Sequence, residues 1–225
     1  MGYILYNLHN MKISEIYSKY KIPNILQNHM YRVAAIGRVI VESLKPSVDL
    51  DIDIVTKELL LHDMGNILKI PVKGNVLFTE EEQIDLIKIQ EEFSQKYGNE
   101  EHVATLTIAK ELGVPEKVIY ILENTGSSKL HLTVESDDWY LKVCSYADFR
   151  VSPKEIVTIT ERFDEVIKRY AGREHVLADV EKTEKKKQLA LVLEKQIQEK
   201  SQISLNQINS DQILADVESL RNYEI

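Results

Sequence analysis

Residues 59–69 read LLLHDMGNILK, and this stretch decides how the chain folds. Three leucines close an apolar helical run, and His62 and Asp63 follow directly before Gly65 breaks the helix. Asp63 lies four residues after Leu59, so a helix places its carboxyl group on the side that faces the core. A charged group in a core is very costly without a partner, so the sequence predicts partners for both polar residues.

Two further polar residues occupy inward-facing helix positions elsewhere in the chain. His29 lies three residues after Leu26 and four before Val33, on the apolar stripe of its helix. Asp148 follows Cys144 by four residues on a later helix. These side chains therefore point inward from three helices and could satisfy one another around a divalent cation.

The chemistry of the four side chains predicts which metal they hold. Imidazole nitrogen and carboxylate oxygen together suit Fe, Mn, Co or Zn, with Mg as an alternative. A hydrolytic metal polarises a phosphoryl oxygen and lowers the pKa of a bound water. The sequence therefore predicts a divalent metal ion as cofactor and leaves a small phosphorylated ligand possible. The predicted ligands are His29, His62, Asp63 and Asp148.

Helical periodicity dominates the rest of the chain, and period-2 alternation is weak, so the sequence predicts an all-α fold. Thr79 followed by Glu82 is typical of a capping box at a helix start. Gly98 is expected to end that helix. The stretch 129–134 is the only candidate strand, and we expect it to be a loop.

The composition changes near Gly172, after which Glu, Lys and Gln become dense. We expect a compact helical domain over residues 12–171 and a C-terminal helical extension over residues 172–225. One helix of the extension carries an apolar stripe that has to bury against the domain or against a second copy, which would make a homo-oligomer. The stripe consists of Leu189, Val192, Leu193 and Ile197.

The arrangement of these four polar residues on consecutive helices resembles the HD-domain metal-dependent phosphohydrolase superfamily. The resemblance implies a compact HD-domain helical bundle with the four residues as metal ligands, and Asp63 also orienting the attacking water. It further implies hydrolysis of phosphoester or phosphoanhydride bonds, usually in nucleotides. It covers roughly residues 20–170, and its strongest segments are NHMYRVAAIGRVI at 28–40, LLLHDMGNILK at 59–69 and YADFRVSP at 146–153.

His102 begins the segment EEHVATLTIAKELGVP at 100–115. In two-metal branches of the superfamily, including bacterial dinucleoside polyphosphate hydrolases, a His in such a segment is a ligand, and another His follows about one helix later. Asn124 stands at that later place here, and its amide oxygen is a weaker donor than imidazole. The resemblance thus implies one tightly bound metal, with His102 holding a weak second metal or acting as an acid on the leaving group.

Two cationic side chains are candidates for contacting a substrate phosphate. Lys69 follows the His-Asp pair closely, and Arg150 lies two residues after Asp148. A guanidinium group binds phosphate bidentately or pairs with a nearby carboxylate, and a lysine near a helix end is often a plain surface residue. Lys69 joins Asp63 and His102 in the predicted catalytic set, and Lys69 and Arg150 form the predicted substrate-binding pair.

Composition excludes several classes of function. The chain has 225 residues and a formal net charge of −8, which argues against a broad basic surface for duplex nucleic acid. No apolar run approaches the roughly 20 residues of a membrane span. The start MGYILYNLHNMK lacks the pattern of a secretory signal, and the single Cys144 excludes a disulfide framework. We therefore expect a cytoplasmic protein with no membrane partner.

Function is expected to be hydrolysis of a phosphoester or phosphoanhydride bond in a nucleotide. Within enzymes, the runner-up is hydrolysis of a signalling nucleotide such as an alarmone or a dinucleoside polyphosphate. The alternative from another class is an HD-fold ligand-binding or scaffold module with little turnover, which Asn124 and the C-terminal helices favour. Metal content and phosphate release would distinguish the two classes.

Overall fold

The computed structural model describes residues 11–72, 78–153, 155–170 and 179–225. Within these ranges the chain is helical, its β-type pairing is limited to isolated bridges, and the predicted all-α fold is confirmed. Two 3₁₀ helices, Met64–Lys69 and Leu205–Gln207, lie between α-helices. The α-helices are α1 (Ile13–Lys19), α2 (Asn24–Ser43), α3 (Ile52–Leu61), α4 (Glu80–Tyr97), α5 (Glu101–Leu112), α6 (Glu116–Asn124), α7 (Leu130–Glu135), α8 (Trp139–Phe149), α9 (Ile159–Tyr170), α10 (Val180–Lys200) and α11 (Ser210–Leu220).

Local sequence signals set both ends of α4 where the sequence predicts them. The backbone N–H of Glu82 donates to Thr79 Oγ1, and the Glu82 carboxylate accepts from the backbone N–H of Thr79. This reciprocal pair is the predicted capping box. Gly98 ends the helix with a φ of 82°, a conformation that residues with a Cβ rarely adopt.

The expected loop over residues 129–134 is wrong, because residues Leu130–Glu135 form α7. Leu130 and Thr133 are three residues apart, both are buried, and α7 packs against α8 and α10. A helix of six residues is too short to show a periodic pattern, and its stability comes from such packing.

Helix α2 lies at the centre of the fold and packs against α3, α8 and α11. Gly37 allows the close approach of α3, because a Cβ at this position would overlap with the side chain of Leu59. His29 lies on α2 and His62 directly follows α3. The tight contact between the two helices therefore brings the two imidazole rings together, with their centroids 5.4 Å apart.

The C-terminal helices share one hydrophobic core with the earlier helices. Helix α10 packs against α7, α8 and α9 and buries Leu193 and Ile197 completely, whereas Val192 of the predicted stripe is 46% exposed. Helix α11 packs against α2. The expected boundary at residues 171 and 172 lies outside the described residues, and the core on either side of it is continuous.

No helix in the described ranges combines the length and the apolar character that crossing a bilayer requires.

Candidate metal centre and cavity

Three helices place four polar side chains around one point. His29 comes from α2 and is 9% exposed. His62 is the C-cap of α3, and Asp63 is the N-cap of the 3₁₀ helix that follows it. Asp148 lies in the last turn of α8. The apolar faces of these helices build the core, so the polar side chains meet at its edge.

The distances between the donor atoms fit a common metal ion. One ligand atom each from His29, His62 and Asp63 lies within 4.8 Å of the other two. Asp63 Oδ2 is 3.5 Å from His29 Nε2 and 3.6 Å from His62 Nε2. Asp148 Oδ1 contacts the same two nitrogens at 3.1 and 3.6 Å. Donors about 2.0–2.2 Å from one ion lie about 3.0–3.6 Å apart, so this group could hold a metal.

The His62 ring is oriented for metal binding. Its Nδ1 lies 2.8 Å from the carbonyl oxygen of Leu59, which can only accept, so Nδ1 carries a hydrogen and donates. The Nε2 atom is buried and has no hydrogen-bond partner within the described structure. A buried ring nitrogen that faces two carboxylates at 3.6 Å fits the position of a metal ligand.

The electrostatics of the centre also favour a cation. Burial lowers the pKa of His62, but the carboxylates of Asp63, Asp148 and Glu58 outweigh it and raise that pKa to about 10. Burial disfavours the ionised form of Asp148, but a hydrogen bond with His29 and the charges of His29 and His62 hold its pKa well below the usual range. The centre thus keeps a positive charge among its carboxylates, and a metal ion can replace the proton.

Gly65 allows the start of α5 to pack closely against the segment that follows the centre. Its N–H donates to Thr105 Oγ1 at 2.9 Å, and a Cβ on this residue would overlap with the carbonyl oxygen of Glu101. Only glycine fits so close to the first turn of α5. The contact places His102, at the start of α5, beside the 3₁₀ helix that follows Asp63.

A cavity of about 840 Å³ opens onto the centre, and both Lys69 and His102 line it. Lys69 is 59% exposed at the rim and pairs with the carboxylate of Glu101. Partial burial, aided by the charge of Lys129, lowers the pKa of His102. His102 is therefore mainly neutral near neutral pH.

The predicted substrate-binding role of Arg150 is wrong. Its side chain is 1% exposed and does not belong to the cavity wall. The guanidinium donates to the carbonyl oxygens of Val157, Leu205 and Ile208 and to the hydroxyl of Tyr146, over 2.6 to 3.2 Å. These bonds use the donors that a phosphate would need, so Arg150 ties α8 to the C-terminal part of the chain.

Asn124 also differs from the expectation, since it does not line the cavity. Its side-chain amide donates to the carbonyl oxygen of Tyr120 at 2.8 Å, one turn back on α6. The next residue, Thr125, lines the cavity instead. Position 124 is therefore not placed to supply a ligand for a second metal.

Two buried polar side chains of the cavity wall are absent from the sequence prediction. Glu58, on α3, is 1% exposed, and Ser145, on α8, is 5% exposed. Burial raises the pKa of Glu58 to about 7, although His62, Cys144 and Thr125 oppose the rise. The available signal was spacing, because Glu58 precedes His62 by four residues in a run that is otherwise largely apolar.

A second part of the cavity wall, which we name the far end because α9 and α10 follow the metal-centre residues in sequence, is basic and aromatic. Helices α9 and α10 contribute Arg162, Arg169 and Lys186. Both arginines contact Glu165, at 3.1 and 2.6 Å, and the Nε atom of Arg169 is buried with no hydrogen-bond partner in the described structure. Phe163 and Tyr170 line the same region.

In comparisons with known proteins, no family model, no curated protein and no solved structure matches this chain.

Proposed function

We propose that the protein is a metal-dependent phosphohydrolase of the HD type, acting on a phosphoester or phosphoanhydride bond. The observation that carries the proposal is the convergence of His29, His62 and Asp63 at the wall of a large cavity, with Asp63 Oδ2 3.5 and 3.6 Å from the two imidazole nitrogens. Such a cluster without a metal would leave buried donors and charges unsatisfied.

Asp148 is the fourth ligand in this proposal, because its Oδ1 contacts both imidazole nitrogens. Two imidazoles and two carboxylates suit Fe, Mn, Co or Zn better than Mg. When bound, the metal would act as a Lewis acid on a phosphoryl oxygen and lower the pKa of a water. Neutral imidazole is needed for binding, so metal uptake releases protons from the centre.

The remaining residues position the substrate and its protons. The Asp63 carboxylate, 20% exposed towards the cavity, can accept a hydrogen bond from the attacking water. Lys69 carries a positive charge at the rim, where its pairing with Glu101 holds it in place. His102, mainly neutral, can donate a hydrogen bond to the leaving oxygen. Arg169 and Lys186 would bind further anionic groups of the substrate.

The cavity favours a substrate larger than a simple phosphate ester. A volume of about 840 Å³ lies within the usual range for drug-sized ligands, and its two ends are chemically different. A nucleotide, including a signalling nucleotide with several phosphates, fits this arrangement. The cellular compartment that suits this function is the cytoplasm, and the substrate is the only partner required.

One observation favours a second candidate, a ligand-binding module with little turnover. Lys69 is paired with Glu101, and Arg150 is committed to backbone carbonyls. The charge of Lys69 is thus neutralised at the rim, and Arg150 cannot reach a substrate. Few positive charges therefore remain to stabilise a transition state near the centre.

The test measures bound metal and phosphate release on the same purified chain. The full-length protein is loaded with Mn, Fe, Co, Zn or Mg and assayed against nucleoside mono-, di- and triphosphates and dinucleoside polyphosphates. His62→Ala should lose bound metal and phosphate release. His131→Ala is the matched control, because this exposed histidine does not line the cavity. Metal binding without phosphate release from any compound would favour the second candidate, and normal metal content in His62→Ala would refute the site.

A further inference from the structure

Two buried polar atoms in the cavity wall, Glu58 Oε2 and Ser145 Oγ, have no hydrogen-bond partner in the described structure. Their residues are 1% and 5% exposed, so bulk water does not satisfy them. Buried polar atoms are nearly always hydrogen-bonded, and the exceptions need an explanation. Since both atoms belong to residues that line the cavity, a bound molecule can supply the missing partners.

The two residues lie on α3 and α8, the helices that also position His62 and Asp148 of the candidate metal centre. Glu58 precedes His62 by four residues on α3, and Ser145 precedes Asp148 by three residues on α8. Each pair therefore shares one face of its helix, and α3 packs against α8. One helical turn spans about 5.4 Å, so both groups lie about one turn from the ligand on the same helix.

A hydrogen bond to the second carboxyl oxygen, Oε1, holds the Glu58 side chain in place. Thr125 Oγ1 donates to Glu58 Oε1 at 3.3 Å. This arrangement orients the carboxyl group while Oε2 stays unpaired. Leu59 and Leu122 line the cavity nearby, which makes the surroundings of the carboxyl group mainly apolar.

We infer that Glu58 and Ser145 form a subsite for sugar hydroxyl groups of the substrate. The inference rests on the proposed function, which places a phosphate ester at the metal centre. In a sugar attached to that phosphate, the ring hydroxyls lie only a few bonds from the phosphorus atom, a distance similar to one helical turn. A nucleobase lies farther from the phosphate. A carboxyl oxygen and a serine hydroxyl can together hold two hydroxyl groups, and acidic residues bind ribose hydroxyls in nucleotide sites.

The test compares the binding of matched compounds by calorimetry, with the full-length metal-loaded protein. The nucleotide probes are adenosine 5′-monophosphate and its 2′-deoxy and 3′-deoxy forms. The sugar-phosphate probes are ribose 5-phosphate and 2-deoxyribose 5-phosphate. Loss of at least one hydroxyl should weaken binding about tenfold, because the polar groups are again left unpaired. The two series show whether the ligand is a nucleotide or a free sugar phosphate.

Two variants assign the preference to the subsite. Glu58→Gln and Ser145→Ala should each reduce the preference for the hydroxylated probe to about twofold or less. They should keep normal metal content, and their melting temperatures without ligand should be equal or higher, because Ser145→Ala removes a buried unsatisfied hydroxyl and Glu58→Gln removes a buried ionisable group. Glu111→Gln, at a carboxyl outside the cavity, is the control and should change neither the preference for the hydroxylated probe nor the metal content.

The outcomes separate this inference from the proposed function. Equal affinity for hydroxylated and deoxy probes in the wild type overturns the subsite, and so does no binding of any probe. An unchanged preference in both variants also overturns it. A protein that keeps the preference but releases no phosphate supports the subsite and refutes hydrolysis. If Glu58→Gln fails to fold, Ser145→Ala alone decides the question.

Discussion

The two ends of the cavity are built in different ways. At the metal end, His29, His62 and Asp63 come from α2 and the end of α3, and their donor atoms lie within 4.8 Å of one another. At the far end, Arg169 of α9 pairs with Glu165, and Lys186 of α10 contacts the hydroxyl of Ser127 at 3.4 Å. Converging buried groups suit chemistry on one atom, whereas paired and partly exposed charges suit the binding of an extended anion.

Asp63→Asn should have the largest effect of any substitution in the cavity. The amide keeps the shape of the carboxyl but removes its charge, so phosphate release should fall at least about a thousandfold. Elemental analysis should show a matching loss of metal. Asp85→Asn, on the exposed side of α4, serves as control. A variant that retains metal and turnover would show that the metal end is assigned to the wrong residues.

Arg150→Leu tests the link between the metal end and the C-terminal helices. The substitution leaves buried carbonyl groups without their donor, so the free energy of unfolding should fall by about 3 kcal/mol. Urea unfolding measures the loss, with Lys185→Leu on α10 as an exposed control. The Michaelis constant of the folded fraction should stay unchanged. A large rise in that constant with normal stability would return Arg150 to substrate binding.

Lys186→Ala tests the far end by itself. Loss of a cation there should raise the Michaelis constant for a nucleoside triphosphate about tenfold and leave the turnover number nearly unchanged, because this end binds and does not react. The effect should shrink at high ionic strength. Lys182→Ala, at the exposed start of α10, should change neither constant. A fall in turnover with an unchanged Michaelis constant would contradict the division of roles.

Asn124→His should have the smallest effect. Because the Asn124 side chain turns to the Tyr120 carbonyl and does not line the cavity, a histidine there should add no ligand. We expect one tightly bound metal per chain in both the wild type and the variant, measured by elemental analysis after dialysis. Two retained metals in the variant alone would show that position 124 reaches the centre after all.

The metal end could be predicted from the sequence because its polar residues interrupt the apolar stripes of their helices. His29, His62 and Asp63 occupy positions that helical periodicity assigns to apolar side chains, and the structure brings them together. The far end follows the ordinary rule for a solvent-facing helix, with charges along one side. Arg169 and Lys186 therefore look like surface residues until tertiary packing places α9 and α10 over the cavity.

The predictions of a substrate-binding role for Arg150 and of a loop in place of α7 failed for the same physical reason. The partners of Arg150 at Leu205 and Ile208 lie 55 and 58 residues away in sequence, and no local pattern indicates them. Helix α7 depends on its packing against α10, which follows it by 44 residues between Glu135 and Val180. Glu58 was within reach of sequence reasoning, since its spacing to His62 repeats the one that singles out Asp63.

The bonds of Arg150 have a consequence for the order of events during synthesis. The chain is made from its N-terminus, and domains generally fold as units while they emerge. Helix α8 carries Asp148, and Arg150 follows two residues later. The Arg150 guanidinium donates to the carbonyl oxygens of Leu205 and Ile208, which are synthesised much later. A nascent chain stopped before these residues would leave the Arg150 guanidinium without two of its acceptors. Stable packing around Arg150 would thus require a chain whose synthesis has passed Ile208.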